Sequence, residues 1–262
     1  MHGPGARPRV DVSTLLAPLR LAVPGRLGQN GSTSILTRKD PMPALALIAI
    51  DGPSGVGKST TAKRLAQELG WDYLDTGAMY RACALAFKRA GLDLADRNEV
   101  ERLLAGLDIQ QRGAREFLGG EDVSEAIRTP EISSLASWVS ADPRVRQVLV
   151  AQQQRIGRAG GWVVDGRDIG TVVFPDACCK IFLTASVAAR AERRFKELQE
   201  KGTPQPLEEV TADIQRRDLA DSTRAVSPLR RADDAAELDS SRLTPDQVVA
   251  WIAGRHRAHA PG

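Results

Sequence analysis

The segment Gly52-Pro-Ser-Gly-Val-Gly-Lys-Ser-Thr60 carries the spacing G-x-x-x-x-G-K-[ST]. Glycines in that pattern let a backbone turn tightly and aim several N–H groups at one point, which makes a nest for phosphate oxygens. A helix that follows adds its positive end. Lys58 is placed to meet the β and γ phosphates as a point charge, and the Ser59 hydroxyl to meet Mg2+. ATP·Mg is therefore the expected donor, held by Gly52, Pro53, Ser54, Gly55, Val56, Gly57, Lys58, Ser59 and Thr60. Phosphoryl transfer to a small acceptor is the expected chemistry.

The loop names the donor and leaves the acceptor open, because one device serves many phosphate chemistries. Asp165-Gly-Arg-Asp168 follows a short apolar run and belongs at the carboxyl edge of a sheet, where ligands of open α/β folds bind. Asp165 has two readings, an acid assisting Mg2+ through water or a turn-stabilising Asp before Gly166. Arg217, Asp221 and Arg224, at i, i+4 and i+7, would share one face of a final helix. That face is either a solvated ion-pair stripe or part of a phosphate site. Arg190, Arg193, Arg194 and Arg216 fall near the same Gly202-Thr-Pro-Gln-Pro206 break, which could serve as a lid hinge.

The elements that must position these groups follow from periodicity. Ala44 to Ile50 is a continuous apolar run, as expected for a strand covered on both faces of a parallel sheet. It leads into the glycine loop, and Ser59 to Leu69 then repeats apolar residues at helical spacing up to Gly70. A second strand, Trp71 to Leu74, precedes a helix capped by Thr76 and closed by Gly91. Leu107 to Ser124 reads as a small antiparallel piece. Trp162 to Val164 and Cys178 to Leu183 are further buried strands, and helices are expected over Val187 to Lys201 and Leu207 to Leu219. Strands alternating with helices imply an α/β fold, a doubly wound parallel sheet with a small insertion and a helical lid.

The 262 residues carry a formal charge of +3, but residues 1 to 42 alone carry six Lys or Arg against two acids. The remainder is close to neutral, which argues against a nucleic-acid module. The 1 to 42 segment, rich in Gly, Pro, Ser and Arg, is expected to be a disordered or mis-annotated extension, with Met42 as an alternative start and a faint likeness to a transit peptide. Cys83, Cys178 and Cys179 match neither a disulfide framework nor a metal site and read as reduced thiols. No run approaches the length that spans a bilayer. A cytoplasmic monomer is expected, with no nucleic-acid or membrane partner.

Several longer motifs together resemble bacterial cytidylate kinases: Gly52-Pro-Ser-Gly-Val-Gly-Lys58, Leu74-Asp-Thr-Gly-Ala-Met-Tyr-Arg81, Gly120-Glu-Asp-Val-Ser124 with Ile127-Arg-Thr129, and Asp142-Pro-Arg-Val-Arg146. The likeness continues in Asp165-Gly-Arg-Asp-Ile-Gly-Thr-Val-Val-Phe-Pro-Asp176, Lys180-Ile-Phe-Leu183 and Arg224-Ala-Val-Ser-Pro-Leu229, and covers about 43 to 255. The resemblance implies a nucleoside monophosphate kinase domain over 43–262, with an insertion near 105–135 and a lid near 187–206. It implies transfer of the γ-phosphoryl group of ATP to CMP or dCMP with Mg2+, those nucleotides being the partners.

Carried over residue by residue, the acceptor phosphate falls to Thr76, Arg81, Arg167 and Arg224, the cytosine to Ser137, Arg146 and Asp168, and the sugar to Arg217 and Asp221. Catalysis falls to Lys58, Arg167, Arg193 and Arg194, with Arg190 beside them in the lid, and the metal to Ser59 directly and Asp165 through water. Thr76 stands where a Ser is usual and keeps the hydroxyl; Ser59 stands where some members carry Gly. A nucleotide switch would need a base-reading Asn-Lys-x-Asp, which does not occur.

Overall fold

The structure, a computed structural model, describes residues 45–259, so the expectations placed on 1–42 lie outside the described residues. Its centre is a parallel sheet built from β1 (Leu45–Asp51), β2 (Asp72–Asp75), β6 (Trp162–Gly166), β7 (Ala177–Thr184) and β8 (Ala236–Asp239), in the order β2-β6-β1-β7-β8. β1 lies between β6 and β7, with Ile50 opposite Asp165 on one side and Ile181 on the other. Its side chains alternate between two cores, Leu47 and Ala49 entering one and Ile48 and Ile50 the other. Both faces are covered, and the strand therefore reads as unbroken apolar sequence.

On one face, α1 (Lys58–Leu69) and α8 (Pro245–His259) close over Ile48, Ile50 and Ile181 with Leu65, Val248 and Ile252. On the other, α2 (Thr76–Ala90), α3 (Arg97–Ala105), α4 (Pro130–Val139) and α5 (Pro143–Gly157) bring Met79, Phe87, Val100, Ile132 and Leu149 against Leu47, Leu74 and Val164. β3 (Ile109–Arg112), β4 (Arg115–Leu118) and β5 (Glu121–Asp122) form a separate antiparallel sheet. The last two are joined by Gly119-Gly120, both at positive φ as the tightest hairpin turn requires. α6 (Val187–Glu200) and α7 (Leu207–Thr223) pair through their own small core of Ala191, Leu198, Val210 and Ile214.

Helices α3, α4, α5 and α8 and strand β8 were not anticipated, although Asp96, Thr129-Pro130 and Asp142-Pro143 are start signals. Two expectations are corrected. Asp75, not Thr76, caps α2, its carboxylate accepting from the Ala78 N–H at 2.8 Å. Thr76 is the first helical residue, and its hydroxyl is committed to the Asp165 carbonyl at 2.7 Å. Arg224 lies beyond the end of α7 in extended backbone, so it leaves the helical face of Arg217 and Asp221, and α7 is not the final helix.

Candidate active site

The end of β1 runs straight into the glycine loop. Gly52 sits at φ 150° with its backbone against β7, where a Cβ would lie 2.1 Å from the Leu183 carbonyl oxygen, so no side chain fits. The loop delivers the chain to α1, whose N-terminus has Gly57 as its cap residue, no side-chain cap and no acid in its first turn. By contrast, α2 to α6 each begin on a capping side-chain oxygen. The first N–H groups of α1 therefore stay available to an anion. Lys58 folds back over the loop, its Nζ donating to the Gly52 and Pro53 carbonyls at 2.8 and 2.7 Å. Burial, then the nearby Arg167 charge, pulls its ammonium down to about 7.

The loop floors a cleft of about 910 Å³ at the carboxyl ends of the strands. Its wall takes in Ser54 to Thr60, Thr76, Arg81, Ser137, Arg146, Asp165, Arg167, Asp168, Arg193, Arg194, Arg217, Asp221 and Arg224. Residues expected from seven separate stretches are thus brought together. Twelve Lys or Arg line the cleft against seven Asp or Glu, although the chain beyond residue 42 is nearly neutral, so the positive charge is concentrated where polyanions would bind.

Next to the loop, the Ser59 hydroxyl donates to Asp165 Oδ2 at 3.0 Å, and the Tyr73 hydroxyl donates to Oδ1 at 2.8 Å. Asp165 is the fourth residue of β6 and is buried, which removes its reading as a turn-forming Asp. Burial and the neighbouring Asp75 push its carboxyl up to about 6. Gly166 follows in a crowded position, where a Cβ would meet Thr76 Oγ1 at 2.8 Å and Ile169 Cδ1 at 2.7 Å.

Farther along the wall, Asp168 forms a buried ion pair with Arg146, and Arg224 Nη2 approaches its other oxygen at 3.6 Å. Burial pushes the Asp168 carboxyl up while Arg146 and Arg224 hold it down. Arg146 Nε and Nη1, Arg224 Nη2 and the Tyr80 hydroxyl make no hydrogen bond. The Arg146 guanidinium also lies 5.6 Å from the centre of the Tyr80 ring. Buried donors left open in this way are costly unless a ligand meets them. Arg167 Nε donates to Asp221 at 2.7 Å, and Arg81 Nη2 lies 3.4 Å from Asp75. Burial, then Arg167, lowers Arg217, and burial, then Arg146, lowers Arg224, so both sit among cations.

The three arginines of α6 separate. Arg193 and Arg194 line the cleft, the first donating to the Ser240 carbonyl and the second pairing with Glu197 at 2.8 Å. Arg190 does not line it. It is buried, pairs with Asp218 of α7 at 2.6 Å and donates to the Ser54 carbonyl at 3.1 Å, a joint between α6, α7 and the glycine loop rather than a phosphate ligand. Tyr73 and Tyr80 were missed by sequence reasoning. Tyr80 lay in view beside Arg81, but a phenol in an apolar helix stretch gives no sign of which side its hydroxyl meets.

A family model described as cytidylate kinase matches residues 48–257. A cytidylate kinase of Syntrophotalea carbinolica is 51% identical over 207 residues, covering 78% of this chain and 88% of the relative. One of Caldanaerobacter subterraneus subsp. tengcongensis is 49% identical over 215 residues, covering 82% and 96%. A bifunctional pantoate ligase/cytidylate kinase of Prochlorococcus marinus is 46% identical over 237 residues, 88% of this chain and 47% of that one.

Proposed function

The chain belongs to the cytidylate kinase family and transfers the γ-phosphoryl group of ATP to CMP or dCMP, and on that premise we propose how the cleft divides between its substrates. ATP takes the glycine loop and the uncapped end of α1. The monophosphate takes the wall formed by Thr76, Arg81, Ser137, Arg146, Arg167, Asp168, Arg217, Asp221 and Arg224. The observation that carries this division is Asp168, a buried carboxylate flanked by Arg146 and Arg224 that still offer unpartnered N–H groups.

Cytosine presents an exocyclic amine beside ring acceptors, and that edge meets a carboxylate and arginine donors in the right sense. Uracil inverts it, setting a carbonyl oxygen against the Asp168 carboxylate, and a buried site with an unmet polar group rejects strongly. Arg81, Arg167 and Arg224 supply charge-assisted forks for the acceptor phosphate, lining up one of its oxygens with the γ-phosphorus and reducing the repulsion between two anions. The acceptor oxygen is already ionised, so no general base is required. Lys58, Arg193 and Arg194 neutralise charge spreading over the transferring group. In the present arrangement the two lid arginines are engaged by Ser240 and Glu197, and closing of α6–α7 over the nucleotides would turn them inward.

The Ser59 hydroxyl and the Asp165 carboxylate are hard oxygen ligands 3.0 Å apart, beside the loop that would carry the phosphates, and they suit Mg2+. When bound, Mg2+ supplies charge neutralisation on the β and γ oxygens. Ser59 would hold it directly and Asp165 through water.

An ADP-release assay with ATP and a panel of CMP, dCMP, UMP, AMP and shikimate tests the reading. Turnover is expected with CMP and dCMP; turnover confined to UMP or AMP would sink it.

A further inference from the structure

Asp51, the last residue of β1, is buried and does not line the cleft, yet its carboxylate reaches the acceptor wall. Its Oδ1 accepts from the Ile169 N–H at 2.8 Å and its Oδ2 from the Gly170 N–H at 2.7 Å. Those two amides open a short π-helix, Ile169–Val173, and like the first amides of any helix they have no partner within it. The residue at the cap position is Asp168, an amino acid that ordinarily satisfies such amides with its own carboxylate. Here Asp168 makes no cap bond; it faces Arg146 and Arg224 instead.

We propose that Asp51 is a positioning residue for the acceptor: by capping the Ile169–Val173 helix from the end of the neighbouring strand β1, it releases the Asp168 carboxylate to face the base. The inference rests on the reading that Asp168 meets cytosine. The placement is tight on every side. Asp51 pairs in register with Gly166 of β6 and Phe182 of β7, and the next residue is Gly52 of the glycine loop. A Cβ at Gly170 would sit 3.1 Å from Lys180 Cδ and 3.5 Å from Asp51 Oδ2, leaving the helix little room to shift away. One carboxylate thereby ties the donor loop to the acceptor wall. Without it, the freed amides adjoin Asp168, the residue at the cap position, and a carboxylate that turned toward them would leave its pairing with Arg146.

The experiment is a double-mutant cycle of Asp51→Asn and Asp168→Asn in the full chain, with kcat and KM for CMP, UMP and ATP and the melting temperature of each variant. Asn at 51 keeps the size but offers one acceptor, and it sets an N–H against an N–H. The expected result is a KM for CMP raised by roughly tenfold and CMP-over-UMP preference reduced, with the KM for ATP within about twofold of the parent. In the Asp168→Asn background, Asp51→Asn should add little further loss of preference, because the carboxylate it releases is gone. Additive effects, or a lowered melting temperature with an unchanged KM for CMP, would overturn the inference. The two failures are distinct: Asp168→Asn with parental preference refutes the cytosine reading, whereas Asp51→Asn with parental KM for CMP refutes the positioning role. Should Asp51→Asn not fold by circular dichroism, Asp51→Ser carries the same measurements.

Discussion

Ser59 and Asp165, 106 positions apart in sequence, meet at 3.0 Å, the hydroxyl from the first turn of α1 donating to the carboxylate from the end of β6. With Tyr73 holding the other oxygen, the carboxylate has a fixed orientation toward the donor loop. Asp165→Asn keeps the shape and removes the charge. The Mg2+ concentration for half-maximal rate should rise about tenfold, as for loss of a metal-orienting partner, while the KM for CMP stays put. A metal titration of initial rates at saturating ATP and CMP checks this; an unchanged requirement would remove Asp165 from the metal's surroundings.

Lys58 sits at about 7 before any nucleotide arrives, because burial and Arg167 disfavour its charge. A triphosphate beside it favours the ammonium and raises its pKa, so binding at pH 8 should take up a proton, approaching roughly one per nucleotide. Calorimetric titration with a non-hydrolysable ATP analogue in two buffers of different ionisation enthalpy reads that number directly. Zero uptake would show that Lys58 is already fully charged. Lys58→Ala should abolish the uptake and lower kcat by about a hundredfold or more with CMP and dCMP alike.

Arg146 and Asp168 are buried together, so separating their roles in stability and recognition needs two readouts. Asp168→Ala leaves Arg146 with an uncompensated buried charge, a loss of about 3–5 kcal/mol in stability. Added CMP should restore less of the melting temperature than it adds to the parent, while ATP restores the same amount. Equal rescue by both nucleotides would place Asp168 outside the acceptor site.

Glu116 on β4 is almost fully buried, with Oε1 lacking a hydrogen-bond partner, and burial pushes its carboxyl up to about 8. The folded state then holds a proton that the unfolded state releases near 4.5. Stability due to this group is full below about pH 4.5 and falls as pH rises toward 8. Glu116→Gln removes the charge that must be buried. At pH 8.5 it should melt higher than the parent by about 5 °C, with the difference shrinking toward pH 5. Parallel melting curves against pH would show that Glu116 does not titrate in that window.

Much of the site was legible because its signals are local. A glycine pattern between an apolar strand and a periodic helix requires no distant residue to be recognised, and Lys58 and Ser59 follow from it by position. The acid and arginines of Asp165 to Asp168 were legible as a cluster at a strand's end. What they touch was not: Arg190 carries the same charge and helix as Arg193 and Arg194, yet it closes a joint with Asp218 and Ser54. Helical spacing likewise extended the Arg217 and Asp221 face to Arg224, but α7 stops at Thr223. Helices α4 and α5 were not legible because their buried faces give a weak apolar period: α4 buries only Ile132, Ala136 and Val139, and α5 buries Arg146 and Gln153 beside Val145 and Leu149.

The sequence by itself determined the donor loop, the alternating architecture and the stock of cations, since these depend on residue type and on spacings of a few positions. Only the tertiary structure decided which charges pair, because ion pairs and caps form across a sheet between residues about 20 to 120 positions apart, through distances that chain order does not encode. Asp168 and Asp51 make the difference concrete: both are acids at or just past the carboxyl end of a strand, and only the packing of β1 against β6 shows which one caps a helix and which one faces the cleft.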